Sequence, residues 1–327
     1  RNVAGRPLTD GQSFSSRSQW VLSSLVVACR ACAWLRSRGF TKRRAGRVRF
    51  PIDMLRPCPV RAAYVHIPFC RQRCHYCDFP IDVVRQTIER PRVSRYLSCL
   101  KEEILSGGSG SLEEDPFESQ PLQSLYFGGG TPSLLPADNL EELLILLRQR
   151  FGFDADCEIT LEMDPGTFSK EKARQLASCG VVRASVGIQS LSDEILTRCG
   201  RGHTAKEARE AIQLLQTCGF ENISADILSG VPGQTTAQLR HELRELSELG
   251  VDHLSVYDLQ YEQGTDFARR FPDPGTSGRL TEEVAAQLYE LAHNELETLG
   301  FEHYEISNYA RSTGQGPSRS RSRHNQT

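Results

Sequence analysis

From residue 61 onward, short apolar runs alternate with longer stretches whose apolar residues recur every three or four positions. The first kind of pattern fits strands and the second fits amphipathic helices. Ala62–Ile67 predicts the first strand, Leu122–Phe127 the second, Glu158–Met163 the third, Val182–Ile188 the fourth, Ile223–Leu228 the fifth and His253–Leu259 the sixth. Helices fall between them. Val93–Ser106 ends at Gly107-Gly108, and Asp138, with Glu141 three residues on, opens a helix striped by Leu140, Leu143, Leu144 and Leu147. Ser169 caps the next, and Ser192 begins a short one. Thr204 with Glu207 and Thr235 with Gln238 have capping-box spacing, and a final helix runs from about Glu282 to Leu299. Residues 106–121, rich in Gly, Ser, Glu and Pro, predict an exposed loop. Six strand–helix units in this order predict an α/β fold with a parallel sheet and right-handed crossovers. The alternation fits an open doubly wound sheet or a barrel, and both place ligands at the carboxyl ends of the strands.

Charge divides the chain more sharply than hydropathy does. The formal net charge of the 327 residues is only −2, yet residues 1–53 carry +9 and residues 311–327 carry +4, which leaves −15 for residues 54–310. An acidic central domain argues against a nucleic-acid substrate. The first fifty residues are rich in Arg and Ser and almost free of acids, as organellar transit peptides are. The expectation is a mitochondrial or chloroplast protein, or a cytoplasmic one if this segment is no transit peptide. Val21 to Cys29 is apolar, but Arg30 ends it far short of a membrane span, so no transmembrane segment is expected. The chain opens on Arg1, which makes a translation begun upstream of the true start an alternative, with Met54 as an internal start. Residues 1–53 are thus read as a targeting or disordered basic segment and 61–260 as the core. Residues 261–310 are read as a helical and strand extension, and the Gly/Ser/Arg-rich 311–327 as a disordered tail.

Three of the eleven cysteines fall within eight residues, Cys70-Arg71-Gln72-Arg73-Cys74-His75-Tyr76-Cys77, directly after the first strand. Their spacing suits a loop wrapped round a cube-shaped cluster better than one helix face. A [4Fe–4S] cluster held by three cysteines keeps one iron without a protein ligand. That iron could chelate the amine and carboxylate of S-adenosylmethionine, whose reductive cleavage gives a 5′-deoxyadenosyl radical. Zinc is the rival, with His75 or His66 as fourth ligand. A disulfide framework fits poorly, because the other cysteines are scattered along a long chain. Cys29-Arg30-Ala31-Cys32 is a lone pair and is read as coincidence. Gly128-Gly129-Gly130-Thr131-Pro132 follows the second strand, where missing side chains let a ligand touch backbone or simply make a tight turn. Glu162 and Gln189 are polar residues ending otherwise apolar strands. Arg201, Asp226 and the Gly230–Gln234 loop repeat that pattern further along.

Cys-x3-Cys-x2-Cys with an aromatic before the last cysteine resembles the signature of the radical S-adenosylmethionine superfamily, which implies a partial (β/α)6 barrel. The strings YVHIPFCRQRCHYCDF, LYFGGGTPSLL, TLEMDPGTF, SVGIQSLSDEIL and ADILSGVPGQT together resemble the HemW-type heme chaperones over about residues 61–310. These are relatives of the oxygen-independent coproporphyrinogen III dehydrogenases of porphyrin biosynthesis. The resemblance implies that Cys70, Cys74 and Cys77 ligate a [4Fe–4S] cluster. It implies that Tyr64, Tyr76, Gly129, Gly130, Thr131, Glu162, Gln189, Arg201 and Asp226 line the S-adenosylmethionine pocket. Heme is then the cargo, and recipient hemoproteins, including membrane-associated ones, are the partners. Heme transfer is the main role, whether or not S-adenosylmethionine is cleaved. The dehydrogenases commonly carry a fourth cysteine two places after the third, where this chain has Phe79, and that departure favours the chaperone branch. Coproporphyrinogen III oxidation and an inactive cluster- or zinc-bearing module remain the alternatives. The family continues through a His-Asn-x-x-Tyr-Trp motif implicated in heme binding, whereas here His324-Asn325 is followed only by Gln326-Thr327. The expectation is a C-terminally truncated form whose His324 sits on a loose tail. Cys58, Cys99, Cys157, Cys179, Cys199 and Cys218 match no motif and are expected to be packing or surface residues.

Overall fold

Among the described residues nine strands form one sheet, and the helices between them pack on its outer face. The computed structural model describes residues 25–28, 61–85, 90–106, 120–276, 278–312 and 320–326. In chain order the first elements are β1 (Leu25–Ala28), β2 (Ala62–Ile67), β3 (Phe69–Cys70), β4 (Asp82–Val83), α1 (Arg90–Ser106), β5 (Leu122–Gly129) and α2 (Ala137–Phe151). Next come β6 (Phe153–Met163), α3 (Lys170–Ser178), β7 (Arg183–Gln189), α4 (Asp193–Cys199), α5 (Ala205–Gln216), β8 (Asn222–Ser229) and α6 (Thr236–Glu248). The last are β9 (His253–Asp258), α7 (Asp266–Arg270), α8 (Glu282–Thr298), β10 (Phe301–Glu305) and β11 (Asn308–Arg311). Pro132–Leu134 and His324–Gln326 are single 3-10 turns.

β2, β5, β6, β7, β8 and β9 are parallel neighbours in that order, which is the strand order of a partial (β/α)6 barrel. Among the described residues β2 and β9 do not pair, and antiparallel strands extend both edges. β1 lies on β2, so residues 25–28 of the basic leading segment belong to the sheet. β11 lies on β9 and carries β10, so residues 301–311 continue the same sheet. No helix among the described residues is long and apolar enough to cross a membrane.

The sheet is not apolar on both faces. Every second residue of the parallel strands (Val65, Phe127, Leu161, Val186, Ala225, Leu254 and their neighbours) joins the main core against the helices. The intervening positions hold Ser124, Thr160, Arg183, Ser185, Ser224, His253 and Ser255, all buried. Alternate residues of a strand point to opposite faces, so these polar groups line the inner face. A parallel sheet covered on both sides usually reads as continuous apolar sequence. The period of two here marks a polar interior.

Local signals place the helices. Ser169 accepts from Lys172 N, and Thr204/Glu207 and Thr235/Gln238 form complete capping boxes. Asp138 is not a cap. It lies inside the first turn of α2, with Pro136 at the cap position, and its carboxylate acts there on the helix dipole. The tail is not loose throughout either. Residues 320–326 are held against the inner face, with Ser322 buried and Arg321 and Arg323 paired to Glu302 and Asp156. Residues 1–24, 29–60, 107–119 and 313–319 lie outside the described residues, and with them Cys29, Cys32, Met54, Cys58 and most of the loop expected at 106–121.

Candidate functional site

β2 delivers the cysteine loop to the carboxyl end of the sheet, and hydrogen bonds clamp it there. β3 and β4 pair across the loop's two ends, with Asp82 N donating to Pro68 O (2.7 Å) and Val84 N to Cys70 O (2.8 Å). Arg73 Nη1 spans the interior to the carbonyls of Cys77 and Phe79, each at 3.2 Å. Gln72 Nε2 reaches Gly200 O (2.6 Å), Arg71 Nη1 reaches Gly166 O (2.8 Å), and His75 N donates to Cys199 O (2.9 Å). Tyr76 packs its ring on Phe267, 6.3 Å between centroids. A loop tied at so many points presents its thiols with little ordering cost left to meet.

Cys70, Cys74 and Cys77 line one cavity of about 490 Å³ with Tyr76, Gly129, Gly130, Thr131, Glu162, Gln189, Arg201 and Asp226. The structure thus brings together every expected site residue except Tyr64. That ring stands on the inner face below the cavity, stacked on Tyr126 at 5.9 Å, with its hydroxyl 3.5 Å from His66 Nδ1. Asp164 is a site residue that sequence reading does not single out. Its carboxylate accepts from Arg201 Nη2 (2.5 Å) and from Thr131 Oγ1 (3.2 Å), while Arg201 Nη1 lies 3.4 Å from Cys74 Sγ. Ser185 was missed too: its hydroxyl donates to Asp226 (3.2 Å to Oδ2). A polar residue facing the lumen at every second strand position was the available signal.

Burial sets the electrostatics. It pushes the Cys70 thiol up to about 12, raises Cys77, and lifts Glu162 to about 7 and Asp226 to about 6. Glu162 is oriented from two sides, by Tyr126 Oη–H (3.0 Å) and by the Gly129 amide (2.9 Å). Gln189 holds a left-handed backbone (φ 65°), costly for a residue with a Cβ. The next two residues are pinned by Glu242, which accepts from Ser190 Oγ (2.5 Å) and Leu191 N (2.9 Å). The same burial that makes Cys199 inert, pushing its thiol up to about 12, packs it with Val231 and Leu259 as a core residue.

The donor set suits an iron–sulfur cluster with S-adenosylmethionine. Three thiols line the same cavity, and buried carboxylates offer acceptors for ammonium and hydroxyl groups. A side chain at Gly130 would sit 2.7 Å from Phe69 O, and Gly129 has a φ of 111°, so glycine is needed at both where the end of the strand packs on the segment that presents Cys70. Neither imidazole proposed for zinc lines the cavity. His66 Nε2 lies 3.2 Å from Pro80 O, and His75 Nδ1 lies 2.8 Å from Arg198 O.

The chain belongs to the radical SAM superfamily, whose family model matches residues 64–246. Within it the chain is HemW-like. It is 39% identical over 252 residues to the heme chaperone HemW of Synechocystis, covering 76% of this chain and 59% of that protein. It is 32% identical over 269 residues to the heme chaperone HemW of Mycobacterium tuberculosis, covering 81% and 67%. The coproporphyrinogen III oxidase HemN of Escherichia coli, a radical SAM enzyme of solved structure, superimposes with a TM-score of 0.67 at 26% identity, covering 79% of this chain and 56% of that one. The chain therefore spans roughly three fifths to two thirds of the length of these HemW relatives.

Proposed function

We propose that Cys70, Cys74 and Cys77 hold a [4Fe–4S] cluster, that S-adenosylmethionine occupies the adjoining cavity, and that the protein handles heme as cargo for recipient hemoproteins, some of them membrane-associated. The observation that carries this reading is the meeting of the three thiols with Glu162, Gln189, Arg201 and Asp226 in one cavity at the strand ends. When bound, the cluster and S-adenosylmethionine supply one-electron chemistry. The chain's own residues bind and orient. Arg201, charged and fixed by Asp164, sets a cation beside Cys74, where cluster and thiolates concentrate negative charge. Glu162 and Asp226 take up donor groups, and Gly129 and Gly130 line the cavity as backbone, the Gly129 amide holding Glu162 in place. Heme as cargo is supported by the names of the HemW relatives and by Phe79, exposed at the cavity's edge. Delivery inside a mitochondrion or chloroplast is supported by the basic, acid-poor first fifty residues.

Anaerobic reconstitution with iron and sulfide tests the core of this reading. The expected product is a paramagnetic [4Fe–4S] signal after reduction that changes when S-adenosylmethionine is added, together with stoichiometric heme uptake in a separate titration. Turnover of coproporphyrinogen III would instead favour the dehydrogenase reading supported by the likeness to HemN. Tight zinc with no iron signal would sink both.

The glycines separate cluster from cofactor. Alanine at Gly130 would press its methyl on the backbone of Ile67, Pro68 and Phe69, the segment that presents Cys70. Gly130→Ala is therefore expected to lower bound iron and S-adenosylmethionine affinity together. Gly129→Val places its side chain against the His66 ring instead, on a left-handed backbone. It is expected to retain iron while weakening S-adenosylmethionine. Iron content and equilibrium cofactor binding on the two variants check this, and equal loss of iron in both would refute the division.

A further inference from the structure

The polar inner face runs the full depth of the sheet, and its lower end is filled by the chain's own residues 320–326. Arg183 Nη1 donates to Ser320 O (3.1 Å), Ser322 N to the Tyr304 hydroxyl (3.2 Å) and Arg323 N to Glu158 Oε1 (2.9 Å). Arg323 also grips Asp156 through its carbonyl (2.8 Å) and carboxylate (2.7 Å). These contacts carry His324 under the cofactor cavity. Its ring centroid lies 5.1 Å from Tyr126 and 6.3 Å from Tyr64, and its Nδ1 is 3.4 Å from Ser124 Oγ. Burial holds this imidazole down to about 4, so it is neutral at physiological pH, with Nδ1 or its proton available to the serine. One step above, the Tyr126 hydroxyl donates to Glu162, which also holds the Gly129 amide.

We infer that His324 is a positioning residue for the cofactor cavity: packed at a tilt against Tyr126, it fixes the phenol that orients Glu162. The inference rests on the reading of the cavity as the S-adenosylmethionine site. It gives this histidine a different task from axial ligation of heme, because a ring held against Tyr126 and Tyr64 and beside Ser124 must leave the inner face before it can meet a porphyrin iron. A ring contact at this separation favours one phenol rotamer over another by up to about tenfold.

The test is S-adenosylmethionine affinity of the reconstituted 327-residue chain. His324→Ala is expected to weaken it about tenfold, at the upper end of what such a ring contact supplies, with iron content unchanged. His324→Phe keeps a ring against Tyr126 and is expected to stay within about twofold of the parent. It also carries the test if the alanine variant unfolds, which a thermal melt reports. In a Tyr126→Phe background the hydroxyl is gone, so His324→Ala should have almost no further effect, as a double-mutant cycle reads directly. Equal affinity in parent and His324→Ala overturns the inference, as does an undiminished loss in the Tyr126→Phe background. A Soret band that shifts in His324→Ala while cofactor affinity holds would assign the ring to heme iron and overturn it too. A parent chain that gains its cluster but binds no S-adenosylmethionine overturns the reading of the cavity, and this inference with it.

Discussion

Cys74→Ala is expected to abolish the cluster and leave the fold standing. Two thiols cannot replace three as anchors for a four-iron cube, so bound iron should fall to background after anaerobic reconstitution, and the reduced paramagnetic signal should vanish. The fold is another matter, because the loop's position is set by backbone bonds. Gln72, Arg73 and His75 hold carbonyls, the β3–β4 pairing closes the ends, and Phe267 N donates to His75 O at 2.8 Å. The core strands contribute their apolar faces elsewhere. Truncating a half-buried thiol therefore costs on the order of 1 kcal/mol or less, and the melting temperature of the cluster-free chain should hardly move. Cys74 is the sharpest of the three to test, since Arg201 lies 3.4 Å from its sulfur. Losing the sulfur frees that donor while Asp164 still neutralises the guanidinium. Retained stoichiometric iron in this variant would remove Cys74 from the ligand set.

What could be read in advance followed the range of each interaction. The six parallel strands and the capping boxes at Thr204 and Thr235 are local in origin, and both appear where pattern and spacing put them. The cysteine triplet is local as well, and its loop brings all three cysteines to one cavity. Long-range partners were out of reach. Nothing in LVVA says that it will lie antiparallel on β2, and the β10–β11 hairpin lacks the Asn-Gly or Gly-rich turn that announces one. Composition alone also misread the end of the chain. Arg321, Ser322 and Arg323 look like solvated tail, but the central domain carries −15, and Glu302, Asp156 and Glu158 are the acids that take them. The resemblance puts Tyr64 in the pocket. The pleat sends it to the inner face one layer lower, where it stacks on Tyr126. Asp164 carries no signal of its own in the sequence. Its role depends on Arg201, thirty-seven positions away.

Glu162→Gln is expected to stabilise the cofactor-free protein at alkaline pH while weakening S-adenosylmethionine binding. Burial is the main reason that this carboxyl titrates near 7, with the Asp226 charge adding to it. Its folded value lies above its ordinary one, near 4.5. The folded chain therefore holds the proton more tightly than the unfolded chain, and the stabilisation from that proton is complete below about pH 4.5. It is lost as pH rises through 7, where the charge must be kept in a polar but poorly hydrated lumen. The loss is on the order of a few kcal/mol, or several degrees in melting temperature for a domain of this size. Glutamine keeps the shape and can still accept from the Gly129 amide, but it never takes the charge. The parent's melting temperature should fall between pH 5 and 8, the variant's should fall less, and the curves should converge at the acid end. With S-adenosylmethionine present the order is expected to reverse above pH 7, because donors on the ligand meet a carboxylate in the parent and only an amide in the variant. Charged hydrogen bonds of this kind carry about 1.5–3 kcal/mol, so affinity should drop by about tenfold or more. Melting curves across pH with and without ligand measure both halves. A variant with the same pH slope as its parent would mean that Glu162 is not the group that titrates, while equal ligand affinity would take it out of the cofactor's contacts.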